Sequence, residues 1–201
     1  RAATWHHRAG ETIGFQHLAE ALRHFRRVQH LVDRLPPSDE TKREAARVRS
    51  QLLWFGLRTG MDRTEAERLF DESVRLAGEA DDPGSAAHAL FSYGVFELYS
   101  GRGPESVRCS EASPLLPRAV AQADRSGDLG LRLVTRWGRV LGCYFEGDLV
   151  PGIQAATEGI ELGADAASTG ANLLGYTPYY FLLSMRGALR ALNGHFAGAE
   201  S

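Results

Sequence analysis

The chain has 201 residues, 43% of them hydrophobic and 24% charged, with a formal net charge of −2. That is enough apolar material for a buried core and too balanced a charge for a disordered segment. Its longest apolar stretch, residues 179–183 with Leu173 and Leu174 nearby, falls far short of the roughly 20 residues that span a bilayer. The opening residues, Arg1-Ala2-Ala3-Thr4-Trp5-His6-His7-Arg8, lack the apolar run of a secretory signal, so a cytoplasmic protein is expected. Cys109 and Cys143 lie far apart without C-x-x-C spacing and read as reduced thiols in a helical interior. Charge is uneven: residues 1–60 carry 11 Lys+Arg against 6 Asp+Glu, and the remainder carries 12 against 19. Such asymmetry marks either a solvated helix face or a surface that docks an oppositely charged neighbour.

In chain order, the first periodic segment covers residues 17–35, where Leu18, Ala21, Leu22, Phe25, Val28, Val32 and Leu35 share one helical face. Arg23, Arg26, Arg27 and Arg34 fall largely on the other. Residues 64–80 repeat the pattern with Ala66, Leu69, Phe70, Ser73, Ala77 and Ala80. No segment alternates with β-branched enrichment, so the fold class is all-α. Pro36-Pro37-Ser38-Asp39, Asp81-Asp82-Pro83-Gly84 and Ser126-Gly127-Asp128 break the helices, because proline cannot continue a helix and Ser and Asp favour its N-cap. Between these breaks, Gly60, Gly101, Gly147 and Gly194 mark tighter turns at intervals of 41, 46 and 47 residues, with Gly10 a candidate earlier member. A period of this length predicts an array of helix pairs, each burying its face against its neighbours. The expected pairs cover approximately residues 1–35, 40–80, 83–126, 128–163 and 175–201, in a single domain.

The second helix of each pair carries small, larger and small residues at n, n+4 and n+7: Ala21, Phe25 and Val28, then Ala66, Phe70 and Ser73. Leu116, Val120 and Ala123 fit less well, and Gly152, Ala156 and Gly159 form an all-small version. Gly94 stands seven residues before Gly101, Gly187 seven before Gly194, and Ala199 five after Gly194. This spacing resembles the tetratricopeptide repeat. The resemblance implies a right-handed α–α superhelix of about four to five antiparallel pairs. The chain departs from that family in its longer period, its inconsistent early Trp/Tyr positions, and Pro114 and Pro117, which interrupt the third pair. The segment Leu173-Leu174-Gly175-Tyr176-Thr177-Pro178-Tyr179, running into Arg186-Gly187 and Leu192-Asn193-Gly194, is similar to the helical region of large bacterial signalling proteins. Those proteins join a class III adenylate/guanylate cyclase domain, a P-loop ATPase and a tetratricopeptide array. Related arrays occur in ATP-dependent transcriptional activators, where a peptide- or ligand-sensing role is the alternative.

Signatures of catalysis are missing from the sequence. Lys42, the sole lysine, follows Glu40-Thr41 without the glycines of a phosphate loop, and Gly101-Arg102-Gly103 meets Ser106 where a dinucleotide loop needs glycine. The seven histidines offer no H-E-x-x-H; His17 and His24 share a face but sit two turns, roughly 10 Å, apart. No carboxylate pair for a cyclase metal and no nucleophile elbow can be assigned, and Asp81-Asp82 reads as a capping turn. The expectation is a non-catalytic scaffold that takes no cofactor or metal, with nucleic acid and membranes disfavoured as partners.

Counting back from the turn glycines places Arg47, Ser50, Trp54, His88, Phe91, Val95, Val134, Trp137, Leu141, Tyr144, Phe181 and Ser184 along the inner face of the first helices. These residues line either a groove for a helix or apolar segment, or an ordinary closed core. Arg132, Arg136 and Arg139, at i, i+4 and i+7, form a basic stripe that suits a phosphate or acidic partner, or pairs with Glu146, Asp124 or Asp128. Expected partners are proteins or peptides, including other domains of a longer parent chain. A second copy is also expected to dock on an apolar patch near Leu189, Leu192 and Phe196.

Overall fold

The computed structural model describes residues 2–100 and 114–195. Among them are ten α-helices and no strand. Helix α1 spans Ala2–Ile13, α2 Leu18–Val32, α3 Asp39–Gly56, α4 Arg63–Glu79 and α5 Pro83–Ser100. They are followed by α6 Leu115–Ser126, α7 Leu129–Glu146, α8 Leu149–Gly163, the single turn α9 Ala171–Leu174, and α10 Pro178–Leu192. No described helix is long and apolar enough to cross a membrane. Gly101, Cys109, Phe196 and Ala199 lie outside the described residues.

Local chemistry sets the helix ends. Ser38 Oγ accepts the Thr41 N–H at the start of α3, Asp62 accepts those of Thr64 and Glu65 at α4, and Asp128 accepts that of Leu131 at α7. Asp82 does the same for Ser85 at the head of α5. Gly60 and Gly147 close turns with φ of 76° and 78°, a region closed to most L-residues. Gly10 instead lies inside α1, where a Cβ would come within 2.8 Å of the Phe25 ring: it is a packing glycine, and the turn after α1 falls at Gly14. Pro114 and Pro117 do not interrupt a helix. Pro114 immediately precedes α6 and Pro117 sits in its first turn, where an N–H has no intrahelical partner to lose.

From α1 to α8 each helix packs on the next in sequence, the short α9 packs on α7, and α10 packs on α8. A second set of contacts joins alternate helices, α3 to α5, α5 to α7 and α7 to α10, whereas α2, α4, α6 and α8 make at most marginal contact with one another. Helices α3 and α5 are buried almost all round, as their flanking on several sides requires. The core runs without a break from Phe25 and Val28 through Leu52, Leu53, Trp54 and Phe91 to Leu133, Leu182 and Leu189. Leu189 is fully buried, so it is not part of an exposed C-terminal patch. It fills the space left by Gly152, while Leu192 remains exposed.

Small residues set helix spacing, and one of them gives a sharp test. A Cβ at Gly138 would lie 2.8 and 2.9 Å from the Phe91 ring, which is itself fully buried. Gly138→Ala gains about 1 kcal/mol of helix propensity but overpacks a rigid ring at a cost of about 1–3 kcal/mol, so a net loss is expected. Gly78→Ala, in the last turn of α4 with nothing within 4 Å of the new methyl, is expected to gain about 0.5–1 kcal/mol. Urea unfolding of the two variants checks the opposite signs.

Polar ties cross the helix pairs. Arg49, buried in α3, donates to Glu72 on α4 (2.6 Å), to Asp33 after α2 (2.8 Å) and to its own Ala45 carbonyl (3.0 Å). His7 on α1 meets Glu44 on α3 at 2.6 Å and faces Glu11 at 3.2 Å. Burial acts to lower the His7 pKa, but these two carboxylates outweigh it and raise it from 6.5 to about 9. A raised histidine stabilises the fold fully below its unfolded pKa and loses that contribution as pH climbs through the folded one. Wild-type melting temperature should therefore decline between pH 6.5 and 9 by the equivalent of about 3 kcal/mol, and His7→Gln should flatten the decline.

Candidate functional site

An aromatic ladder crosses the alternate helices. Trp54 on α3 packs on Phe91 on α5 with ring centres 4.9 Å apart, Phe91 on Trp137 on α7 at 5.8 Å, and Trp137 on Phe181 on α10 at 5.2 Å. Trp54, Phe91 and Trp137 are buried, so the middle of the ladder is closed core and not an open groove. The residues counted back from the turn glycines thus meet at four positions, one from each of four helices. Val95, Val134 and Leu141 are buried in the same core. Ser50 bonds Ser73 Oγ at 2.9 Å and serves the contact between α3 and α4.

On one side of the ladder opens a recess of about 330 Å³ lined by Trp54, Leu57, Arg58, Val95, Tyr99, Trp137 and Tyr176. Its floor is the buried indoles and Val95; its rim is the exposed Arg58, Tyr99 and Tyr176. The Arg58 guanidinium rests on the Trp54 ring, 3.9 Å from its centre, and lies 5.1 Å from that of Phe15. Its NH1 donates to the Trp54 carbonyl at 3.0 Å, and no carboxylate pairs with it among the described residues. Partial desolvation lowers its pKa, yet a guanidinium remains a cation at neutral pH. Desolvation, reinforced by Tyr99, pushes the Tyr176 hydroxyl up to about 12, so both groups keep their protons as donors. The Trp54 indole N–H is buried without an acceptor among the described residues.

Three other predicted groove residues go elsewhere. Arg47 and His88 line a separate, polar recess of about 530 Å³ together with Glu11, Gln51, Asp82 and Asp128. His88 is buried and driven down to about 4 by desolvation first and by Arg47 second, so it is neutral at physiological pH. Tyr144 is exposed and packs on Phe145, with ring centres 5.7 Å apart.

The basic stripe is internally neutralised. Arg136 makes a two-pronged contact with Asp124, both bonds 3.0 Å, and Arg132 joins the same carboxylate at 2.9 Å. Arg139 faces Glu146 at 3.8 Å. Asp128 caps α7 instead of joining this cluster. The arrangement fastens α7 to α6 and is a poor receptor for an external anion.

Sequence reasoning missed Arg58, Tyr99 and Tyr176. Arg58 stands four residues after Trp54, the spacing that places two side chains on one helical face, and that was the available signal. Tyr176 lies inside the 173–179 motif, between Gly175 (φ 87°) and the first residue of α10 after Thr177. His24 meets His6 across two helices, with Nδ1 atoms 2.9 Å apart, rather than His17. The sequence matches no protein-family model and no curated protein.

Proposed function

We propose that the chain is a non-catalytic, tetratricopeptide-like scaffold that binds a protein segment along α3, α5, α7 and α10 and belongs to the regulatory part of a larger signalling ATPase or cyclase. The observation that carries this reading is the two-sided packing: α3, α5, α7 and α10 touch in series while α2, α4, α6 and α8 stand apart. Helices close on one side and spread on the other bend an array toward the close side, as in a right-handed superhelix of helix pairs. The inner side then carries the aromatic ladder, whose exposed neighbours Tyr99 and Tyr176 supply large, rigid contact area of the kind that dominates protein interfaces.

Selection from a random peptide display library tests the proposal. Enriched peptides are expected to bind the wild-type chain and to lose at least about tenfold in affinity on Tyr176→Asp or Phe181→Asp, the loss of one well-packed interface contact. Failure to enrich any peptide, or enrichment of peptides indifferent to both substitutions, would contradict it.

A further inference from the structure

We propose that the recess beside the aromatic ladder is a site for a small aromatic carboxylate, held by its ring against the exposed Tyr99 and Tyr176 above the buried indoles and by its carboxylate on Arg58. This goes beyond the scaffold reading and does not depend on it.

Shape, charge and donor balance point to this ligand. A volume of about 330 Å³ stands near the lower end of the 300–1,000 Å³ typical of small-molecule sites, which fits a single-ring ligand. The rim supplies the exposed rings of Tyr99 and Tyr176, and Leu57, Val95 and the edges of the two buried indoles form the apolar floor. An aromatic ring lies offset or edge-on against such surfaces. The polar groups at the rim, the Arg58 guanidinium and the hydroxyls of Tyr99 and Tyr176, can all donate. No lining residue is an acid, so an anion meets no repulsion there.

Arg58 is also prepared for the task. Most arginines described on the neighbouring helices, including Arg49, Arg63, Arg68, Arg132 and Arg136, face a carboxylate of the chain. Arg58 instead lies over the Trp54 ring and is tied to the Trp54 carbonyl through NH1. These two contacts hold the head group in place and leave its other N–H groups for a carboxylate. A cation already oriented and unpaired loses little side-chain freedom when the anion arrives. The buried Trp54 N–H, which lacks an acceptor, belongs to the ring under that cation.

The probe is 4-fluorophenylacetate, followed by fluorine NMR on the full chain, with 4-fluorophenylacetamide as its uncharged isostere. The acid should bind at least about tenfold more tightly than the amide, the worth of one charge-assisted hydrogen-bonded contact. Arg58→Gln should erase that preference, Arg58→Lys should keep part of it, and Arg68→Gln, on the outer helix α4, should change nothing. Circular dichroism melting of Arg58→Gln should keep the single cooperative transition of wild type, lowered slightly at most by loss of the contact on Trp54. Equal binding of acid and amide, an acid affinity unchanged by Arg58→Gln, or no binding at millimolar acid would overturn the site. A tripeptide ending in a free phenylalanine carboxylate offers the same chemistry; if it binds more tightly than the free acid, the ligand is a chain terminus and the small-molecule assignment fails. Peptides that bind the inner wall without competing with the acid would leave this site standing, and loss of acid binding would not touch the scaffold reading.

Discussion

Arg63→Ala is expected to cost the fold about 3 kcal/mol, because it strands a buried carboxylate. Glu97 on α5 is 1% exposed, and Arg63 at the start of α4 reaches its Oε1 at 3.1 Å. The nearby Tyr93 hydroxyl, whose own pKa is raised by desolvation first and by the neighbouring Glu97 second, makes no hydrogen bond to Glu97 and cannot replace a cation. Truncating Arg63 leaves the charge of Glu97 in the core without its counter-charge. Glu97→Gln added to Arg63→Ala should recover a large part of the loss, because a neutral amide tolerates burial better than an orphaned carboxylate. The measurement is a double-variant cycle in urea: an Arg63→Ala loss under about 1 kcal/mol, or no recovery in the double variant, contradicts the role given to this pair.

Trp54→Ala should be comparably damaging, at about 3–5 kcal/mol. Trp54 is 2% exposed and holds contacts to both α5 and α7, with ring centres 4.9 Å from Phe91 and 6.4 Å from Trp137. Its loss opens a cavity where three helices meet and removes the surface on which Arg58 lies. Trp5, 63% exposed on α1, is the matched control, and Trp5→Ala should move stability by less than about 0.5 kcal/mol. Thermal and urea unfolding of the two variants side by side separate a core tryptophan from a surface one. Equal effects would mean that the ladder does not organise the core.

The sequence made the helical class legible because its signals were local. The face of Ala66, Leu69, Ser73 and Ala77 belongs to α4, and all four residues are buried in it. Counting back from glycines placed Trp54, Phe91, Trp137 and Phe181 on successive helices, where the structure brings their rings together. The same counting sent Arg47 and His88 toward that ladder, but they sit about two turns and one turn further toward the other end of their helices and face the polar recess. The rim was illegible for a different reason. Arg58 carries only its four-residue spacing from Trp54, Tyr176 lies in the loop before α10 and Tyr99 in the last turn of α5, so helical periodicity does not show that the three converge. Gly10 and Leu189 show the other limit: a packing glycine looks like a turn, and a core leucine like a surface one, until the facing side chain is known.

The most direct test of the account is where binding is felt. With all three tryptophans replaced by 5-fluorotryptophan, Trp54 and Trp137 report the inner wall and Trp5 reports the far end of the chain. Titrating a peptide selected on the wild-type chain should shift the Trp54 and Trp137 fluorine resonances together and leave Trp5 unmoved. Saturable binding that moves only Trp5, or none of the three, would place the partner elsewhere and contradict the inner wall as the binding face.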